Sequence, residues 1–309
     1  MTQNEIISWL LKGDVSIQYQ TYRDLLSDEK KSLRSKIEKE GWGKKYLSLR
    51  KPNDHWGMKF YQPKWTSTHY TLLELKNLNI LPSCQPVLET LKIILEENIN
   101  EFDGGINPIG SIKKSDVCIN GMALNYFSYF KVDEEKLKSI IDFILAEKMN
   151  DGGFNCHSNR KGAIHSSLHT TLSVLEGIFE YRNNGYTYRL KELLDAEKQS
   201  QEFILMHRLF KSDKSNKIIK NSFLKLAYPT RWYYDILRAL DYFRSANINF
   251  DERMQDAIDV ILKKRTKEGL WKLQSHHPGL RHFDMEEVGK PSRWNTLRAL
   301  RVLKHFKKL

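Results

Sequence analysis

Ser67-Thr68-His69-Tyr70-Thr71-Leu72-Leu73-Glu74-Leu75 returns one hundred residues later as Ser167-Leu168-His169-Thr170-Thr171-Leu172-Ser173-Val174-Leu175. Midway between the two lies Val117-Cys118-Ile119-Asn120-Gly121-Met122-Ala123-Leu124. Two later segments match each other, Thr230-Arg231-Trp232-Tyr233-Tyr234-Asp235-Ile236-Leu237-Arg238-Ala239-Leu240 and Ser292-Arg293-Trp294-Asn295-Thr296-Leu297-Arg298-Ala299-Leu300. An earlier copy runs Ser16-Ile17-Gln18-Tyr19-Gln20-Thr21-Tyr22-Arg23-Asp24-Leu25-Leu26. Each opens near a Ser or Thr whose hydroxyl can accept from the free N–H groups of a first helical turn. Apolar residues then recur at steps of three and four, the helical period. The reading is six helices in one register, a repeat rather than a string of unrelated elements.

A second set of helical patterns alternates with these, over 4–11, 29–49, 85–98, 133–149, 188–210 and 251–264. Between second-set and first-set helices come glycine turns of one kind: Asp54-His55-Trp56-Gly57, Asp103-Gly104-Gly105-Ile106-Asn107, Asp151-Gly152-Gly153-Phe154-Asn155 and Glu268-Gly269-Leu270-Trp271. Glycine permits positive φ after a helix end, and the neighbouring aromatic or Ile can fold back as a plug. Before Thr230 a longer polar connection, 211–229, replaces that turn. Strand signals are absent. The expectation is one all-α domain over 1–309, with helical hairpins at about 4–27, 29–79, 84–130, 133–181, 188–246 and 251–306.

Composition fits a folded chain. Of 309 residues 40% are hydrophobic and 28% charged, which excludes collagen-like and disordered classes. Lys and Arg number 50 against 38 Asp and Glu, a formal charge of +12. The excess is concentrated. Between His207 and Arg231 seven basic residues meet one acid, Asp213, and the last twenty residues carry seven basic residues and no acid. Such a field attracts anions. No nucleic-acid-binding motif accompanies it, so a small anionic ligand is expected as partner, with no obligate protein partner identifiable. Three scattered cysteines, Cys84, Cys118 and Cys156, argue against a disulfide framework and for a reducing, cytoplasmic setting. No apolar run approaches membrane-spanning length, and the first residues lack the basic start of a secretory signal.

Six hairpins of about fifty residues can stack as an open superhelix or close into a ring. The Asp-Gly-Gly-Phe and Glu-Gly-Leu-Trp turns, each followed by an amphipathic helix, resemble the repeats of the terpenoid cyclase and protein prenyltransferase superfamily. Gly57-Met58-Lys59-Phe60-Tyr61-Gln62-Pro63-Lys64-Trp65 is similar to a loose version of the cyclase Gln-Trp motif. The resemblance covers nearly the whole chain and implies an (α/α)6 toroid, with inner and outer helix rings. First-set helices would then line a central cavity, their N-terminal turns opening at one mouth. Aligning them on the shared Leu puts Tyr22, His69, Ile119, His169, Tyr234 and Trp294 at equivalent positions. A ring of aromatics can hold an apolar or cationic group, each contact worth about 0.5–2 kcal/mol.

Arg231-Trp232 and Arg293-Trp294 sit at two expected helix starts. A guanidinium fork suits phosphate or carboxylate, and helix N-termini add partial positive charge. The substrate-binding candidates are therefore Arg231, Arg293, Tyr22, Trp232, Tyr234 and Trp294, with His282 from a loop before the last helix. His69 and His169 are the acid/base candidates, and His282 with Asp284 a further pair if brought within hydrogen-bond reach. His165 and His169, four apart, could hold a metal with Cys118, Cys156 or His157. No Cys-x-x-Cys or His-Glu-x-x-His signature supports magnesium or zinc, and no cofactor is expected.

The superfamily's chemistry does not carry over. Class II cyclases use Asp-x-Asp-Asp and class I enzymes an Asp-Asp motif, but this chain contains no Asp-Asp dipeptide. The zinc ligands of the prenyltransferases have no counterpart at Thr230–Tyr233 or Ser292–Asn295. Three functions remain: a protein that binds, and could transform, an isoprenoid diphosphate-like molecule; a polysaccharide lyase-like enzyme for an acidic glycan; or a non-catalytic helical-repeat scaffold.

Overall fold

The structure is a computed structural model and describes residues 1–110 and 112–309. It is all-helical, with fourteen α-helices and no strand among the described residues. In chain order they are α1 (Gln3–Leu10), α2 (Val15–Leu25), α3 (Lys31–Arg34), α4 (Gly41–Leu47), α5 (Thr68–Asn77), α6 (Gln85–Glu97) and α7 (Val117–Tyr129). Then follow α8 (Lys138–Ala146), α9 (Ser158–Lys161), α10 (Leu168–Asn183), α11 (Leu190–Met206), α12 (Ile236–Ser245), α13 (Gln255–Lys263) and α14 (Arg293–His305). Among the described residues no helix is long and apolar enough to cross a membrane.

The chain divides into two compact units. The first combines Met1–Ser48, Asn77–Leu81 and Leu205–Leu309. The second holds Leu49–Lys76 and Pro82–Ile204.

In the first unit both ends of the chain meet, because α14 packs against α2 and against α12. Asp14 caps α2, its Oδ1 accepting from the Ser16 amide at 2.9 Å, while its Oδ2 accepts from the Trp42 amide at 2.7 Å. The helix expected over 29–49 is broken. Gly41 stands at φ +60, and a Cβ there would lie 2.0 Å from the Asp14 carboxylate, so the chain turns at Gly41 and restarts as α4. The expected helix start at Thr230 is also corrected. Asp235, not Thr230, is the N-cap, its Oδ1 accepting from the Arg238 amide at 2.8 Å, and α12 begins at Ile236. Arg231 adopts φ +53 in the segment before it. Ser292 caps α14 where expected, accepting from the Asn295 amide at 2.9 Å.

The second unit is built on α7 and α10, its closest helix pair, with α8 packed on α7. Gly121 and Gly177 bring the two backbones together. A Cβ on Gly177 would stand 2.4 Å from the Gly121 carbonyl oxygen, and one on Gly121 2.8 Å from the Val174 backbone.

The residues expected as plugs, Trp56, Ile106, Phe154 and Trp271, are all fully buried. Each is clamped in the same way. The plug's backbone N–H donates to a side-chain oxygen near the start of the following helix. The acceptors are Thr68 at 3.0 Å, Asn120 at 2.6 Å and Thr171 at 3.0 Å in the second unit, and Thr296 at 3.0 Å in the first. A buried amide left without such a partner costs about 1–3 kcal/mol, so the clamp explains why these positions carry a polar side chain.

Candidate functional site

His69 lies in the core of the second unit, 0% exposed, with Nδ1 3.2 Å from the Tyr126 hydroxyl. Phe60, Tyr61, Tyr70 and Tyr126 surround its ring at centroid distances of 4.9–5.7 Å. Burial lowers its pKa to about 3, so it is a neutral imidazole at neutral pH. His169 is half-buried in the first turn of α10.

His165 and His169, which could have held a metal with Cys118, Cys156 or His157, do not come together with them as a donor group among the described residues. His157 and His165 are exposed. The group of possible metal donors that comes together among the described residues is instead Asp116, Cys118 and Cys156, whose ligand atoms lie within 4.8 Å of one another. Asp116 is already engaged. As N-cap of α7 its Oδ1 accepts from the amides of Cys118 and Ile119 at 3.1 and 3.3 Å and from the Cys118 thiol at 3.0 Å. Its Oδ2 pairs with the Arg160 guanidinium. A fixed cation on the only carboxylate of the set opposes a second one, so the cluster is a poor metal site. The two thiols differ. Contact with Cys118, helped by Thr170 and Arg160, lowers Cys156 to about 7 against the opposing effects of burial and Asp116. The same contact, with burial and Asp116, raises Cys118.

In the first unit the predicted arginines carry structural duties. Arg231 is 4% exposed and donates to the carbonyls of Pro278 and Leu280 at 2.8 and 2.5 Å, tying down the loop before α14. Arg293 donates to the Trp9 carbonyl at 3.1 Å and lies 4.5 Å from the Trp9 ring centroid. Tyr234 is buried, its hydroxyl donating to the Leu209 carbonyl at 2.5 Å. Tyr22 is half-buried beneath the Lys30 ammonium, 5.3 Å away. Asp284 pairs with Arg281 at 2.5 Å and with His276 at 3.6 Å, and His282 sets its ring edge-on to Tyr46 at 5.7 Å.

Around the starts of α12 and α14 the same unit assembles a different set. Trp294, 2% exposed, is stacked between Tyr228 at 4.8 Å and Trp42 at 6.1 Å. Trp232, Tyr233 and His277 form a second stack, with centroids 4.1 and 3.9 Å apart. The buried polar atoms here that find no hydrogen-bond partner among the described residues include Asp235 Oδ2, His277 Nε2, Trp294 Nε1, Asn295 Oδ1 and Arg298 Nη1. Burial raises the Asp235 pKa despite the nearby Arg298 and Arg238. It lowers His277 to about 4, assisted by Arg231 and Arg238. Glu286 accepts from the amides of Arg293 and Trp294 at 2.6 and 3.3 Å, anchoring the loop to the first turn of α14.

Below this set runs a buried ion network. Arg301 donates to Asp24 on α2 at 2.8 Å and pairs with Asp241 on α12, while Arg23, Arg244 and Arg298 join the same two carboxylates. Four guanidinium groups thus share two carboxylates, leaving local positive charge. A separate cavity of about 290 Å³ in this unit is lined by Leu226, Lys264, Lys272, Leu273, Gln274 and Gly289. No protein-family model and no curated protein matches the chain.

The sequence pointed to Trp232 and Trp294, but not to Asp235, Asn295 and Arg298 on the same two segments. A usable signal was present. With the two segments aligned on their shared Leu, Arg238 and Arg298 fall at one position, and a charged residue repeated inside an otherwise apolar stripe marks an inward-facing polar group.

Proposed function

We propose that the first unit binds a small anionic molecule whose uncharged part lies against the Trp294 and Trp232 stacks. The observation that carries this reading is Arg298: its guanidinium is 5% exposed, yet Nη1 has no hydrogen-bond partner among the described residues. Its Nε side faces Asp241, but a buried guanidinium N–H left without an acceptor is costly, and an incoming phosphate or carboxylate would remove that cost. The surplus of guanidinium groups behind it and the overall charge of +12 act in the same direction. The ligand class implied by the superfamily resemblance is an isoprenoid diphosphate, with the chain packed on the indoles. We take the repeats to close as an (α/α)6 toroid. Two features support this: the repeated plug clamp, and the packing of the first first-set helix, α2, on the last, α14, which an open solenoid would hold apart.

An acidic glycan is the second reading. Asp235 Oδ2, Asn295 Oδ1 and Trp294 Nε1 offer two acceptors and a donor beside stacked rings, an arrangement suited to sugar hydroxyls and of no use to an isoprenoid tail.

Thermal unfolding of the full chain separates the two. A ligand at 100 times its Kd adds about 2.7 kcal/mol of stability. The first reading expects farnesyl diphosphate to raise Tm, and Arg298→Met to abolish the rise. A rise with oligogalacturonate alone, lost in Asp235→Asn, selects the second. No rise with either rejects the ligand site.

A further inference from the structure

The second unit places two thiols from distant parts of the chain side by side. Cys118 lies in the first turn of α7, and Cys156 lies in the connection that follows the Asp-Gly-Gly-Phe turn. Their sulfurs are within 4.8 Å. A disulfide needs them at about 2.05 Å, a gap that side-chain rotation and a small loop shift can close. Both residues are half-buried, and Cys118 is the more enclosed. The surroundings differ in a way that sorts their roles. Cys118 donates its thiol proton to Asp116 Oδ1 at 3.0 Å. The Cys156 amide donates to Thr170 Oγ1 at 3.2 Å, and Arg160 holds the Cys156 carbonyl at 3.1–3.2 Å while pairing with Asp116. Cys156 therefore has the greater access, with Arg160 offsetting the nearby Asp116, and Cys118 has the carboxylate's hydrogen bond and shelter.

We propose that Cys156 and Cys118 form a redox-active dithiol that exchanges with small disulfides of the glutathione class, Cys156 attacking and Cys118 resolving. The Cys156 thiolate attacks one sulfur of the disulfide RSSR. A Cys156–SR bond forms, the S–S bond of RSSR breaks, and RS⁻ leaves to take up the proton that Cys156 had released. Cys118 then gives its proton to Asp116 and attacks Cys156 Sγ. The Cys118–Cys156 bond forms, the second RS⁻ departs, and the proton on Asp116 ends on that leaving thiolate. Two protein thiols are oxidised and one RSSR is reduced to two RSH. The direction of the Cys156 shift agrees with this order, since the attacking species is the thiolate.

The test is alkylation and mass analysis of the full chain after exposure to glutathione disulfide at neutral pH. The expected result is a Cys118–Cys156 cross-linked peptide, formed about tenfold faster than any adduct on Cys84, which is buried. Cys118→Ser should stop at a glutathione adduct on Cys156. Cys156→Ser should leave Cys118 as a free thiol. Should either variant fail to fold, the native chain still decides through the relative alkylation rates of its three cysteines. Independent adducts on both cysteines, equal reactivity of all three, or thiols shielded by a stoichiometric metal that a chelator removes would each overturn the proposal.

Discussion

Asp24 shows how a single residue here depends on charges brought from the far end of the chain. Burial alone would raise its pKa, but Arg301 and Arg23 outweigh it and hold the carboxyl at about 2. A folded-state pKa below the unfolded value of about 3.9 contributes stability that is complete above about pH 4 and is lost as pH falls toward 2. Urea unfolding at a series of pH values should show this loss in the native chain and a flatter profile in Arg301→Leu, which should also cost about 3 kcal/mol at neutral pH by removing the guanidinium that bridges the two buried carboxylates. His69 acts in a second window. Its folded pKa of about 3 lies below the usual 6.5, so its contribution is complete above about pH 6.5 and declines as pH drops toward 3. His69→Phe should flatten that part of the curve, and a retained slope would mean that the imidazole is not buried neutral. The aromatic character of this position was legible in the sequence. Its burial was not, because helical period identifies a face but not what covers it.

At the scale of elements, the plug clamp gives the clearest expectation. Thr171→Val and Thr296→Val nearly keep size and remove a hydroxyl that accepts from the Phe154 or Trp271 amide and donates to the same residue's carbonyl, and each should cost about 1–3 kcal/mol by urea midpoint. Gly177→Ala pushes a methyl into the Gly121 carbonyl and should cost a similar amount or more, whereas Gly110→Ala, with open space around it, should be near neutral. The first-set helices and their glycine turns could be read directly from periodicity. The boundary at α12 could not. Thr230 looks like a cap by analogy with Ser292, but Asp235 caps α12 five residues later, and Arg231 becomes a loop anchor rather than a helix-start anion ligand. The break at Gly41 was missed because the partner that demands it, Asp14, lies on another helix.

At the scale of the whole chain, the first unit draws on residues from both termini, so its ligand-site candidates and its ion network come from segments almost three hundred residues apart. No local pattern announces such an assembly. The same holds for Cys118 and Cys156. Global charge, in contrast, is read straight from composition. With +12 overall, association of an anionic ligand should slow several-fold between about 50 and 500 mM salt in stopped-flow tryptophan fluorescence, and a salt-independent rate would remove electrostatic attraction from the account. The most direct measurement of the central claim is hydrogen exchange with and without farnesyl diphosphate. The account predicts new protection at 226–238, 274–282 and 291–300 in the first unit, absent in Arg298→Met. Protection confined to the second unit, or unchanged exchange at saturating ligand, would contradict it.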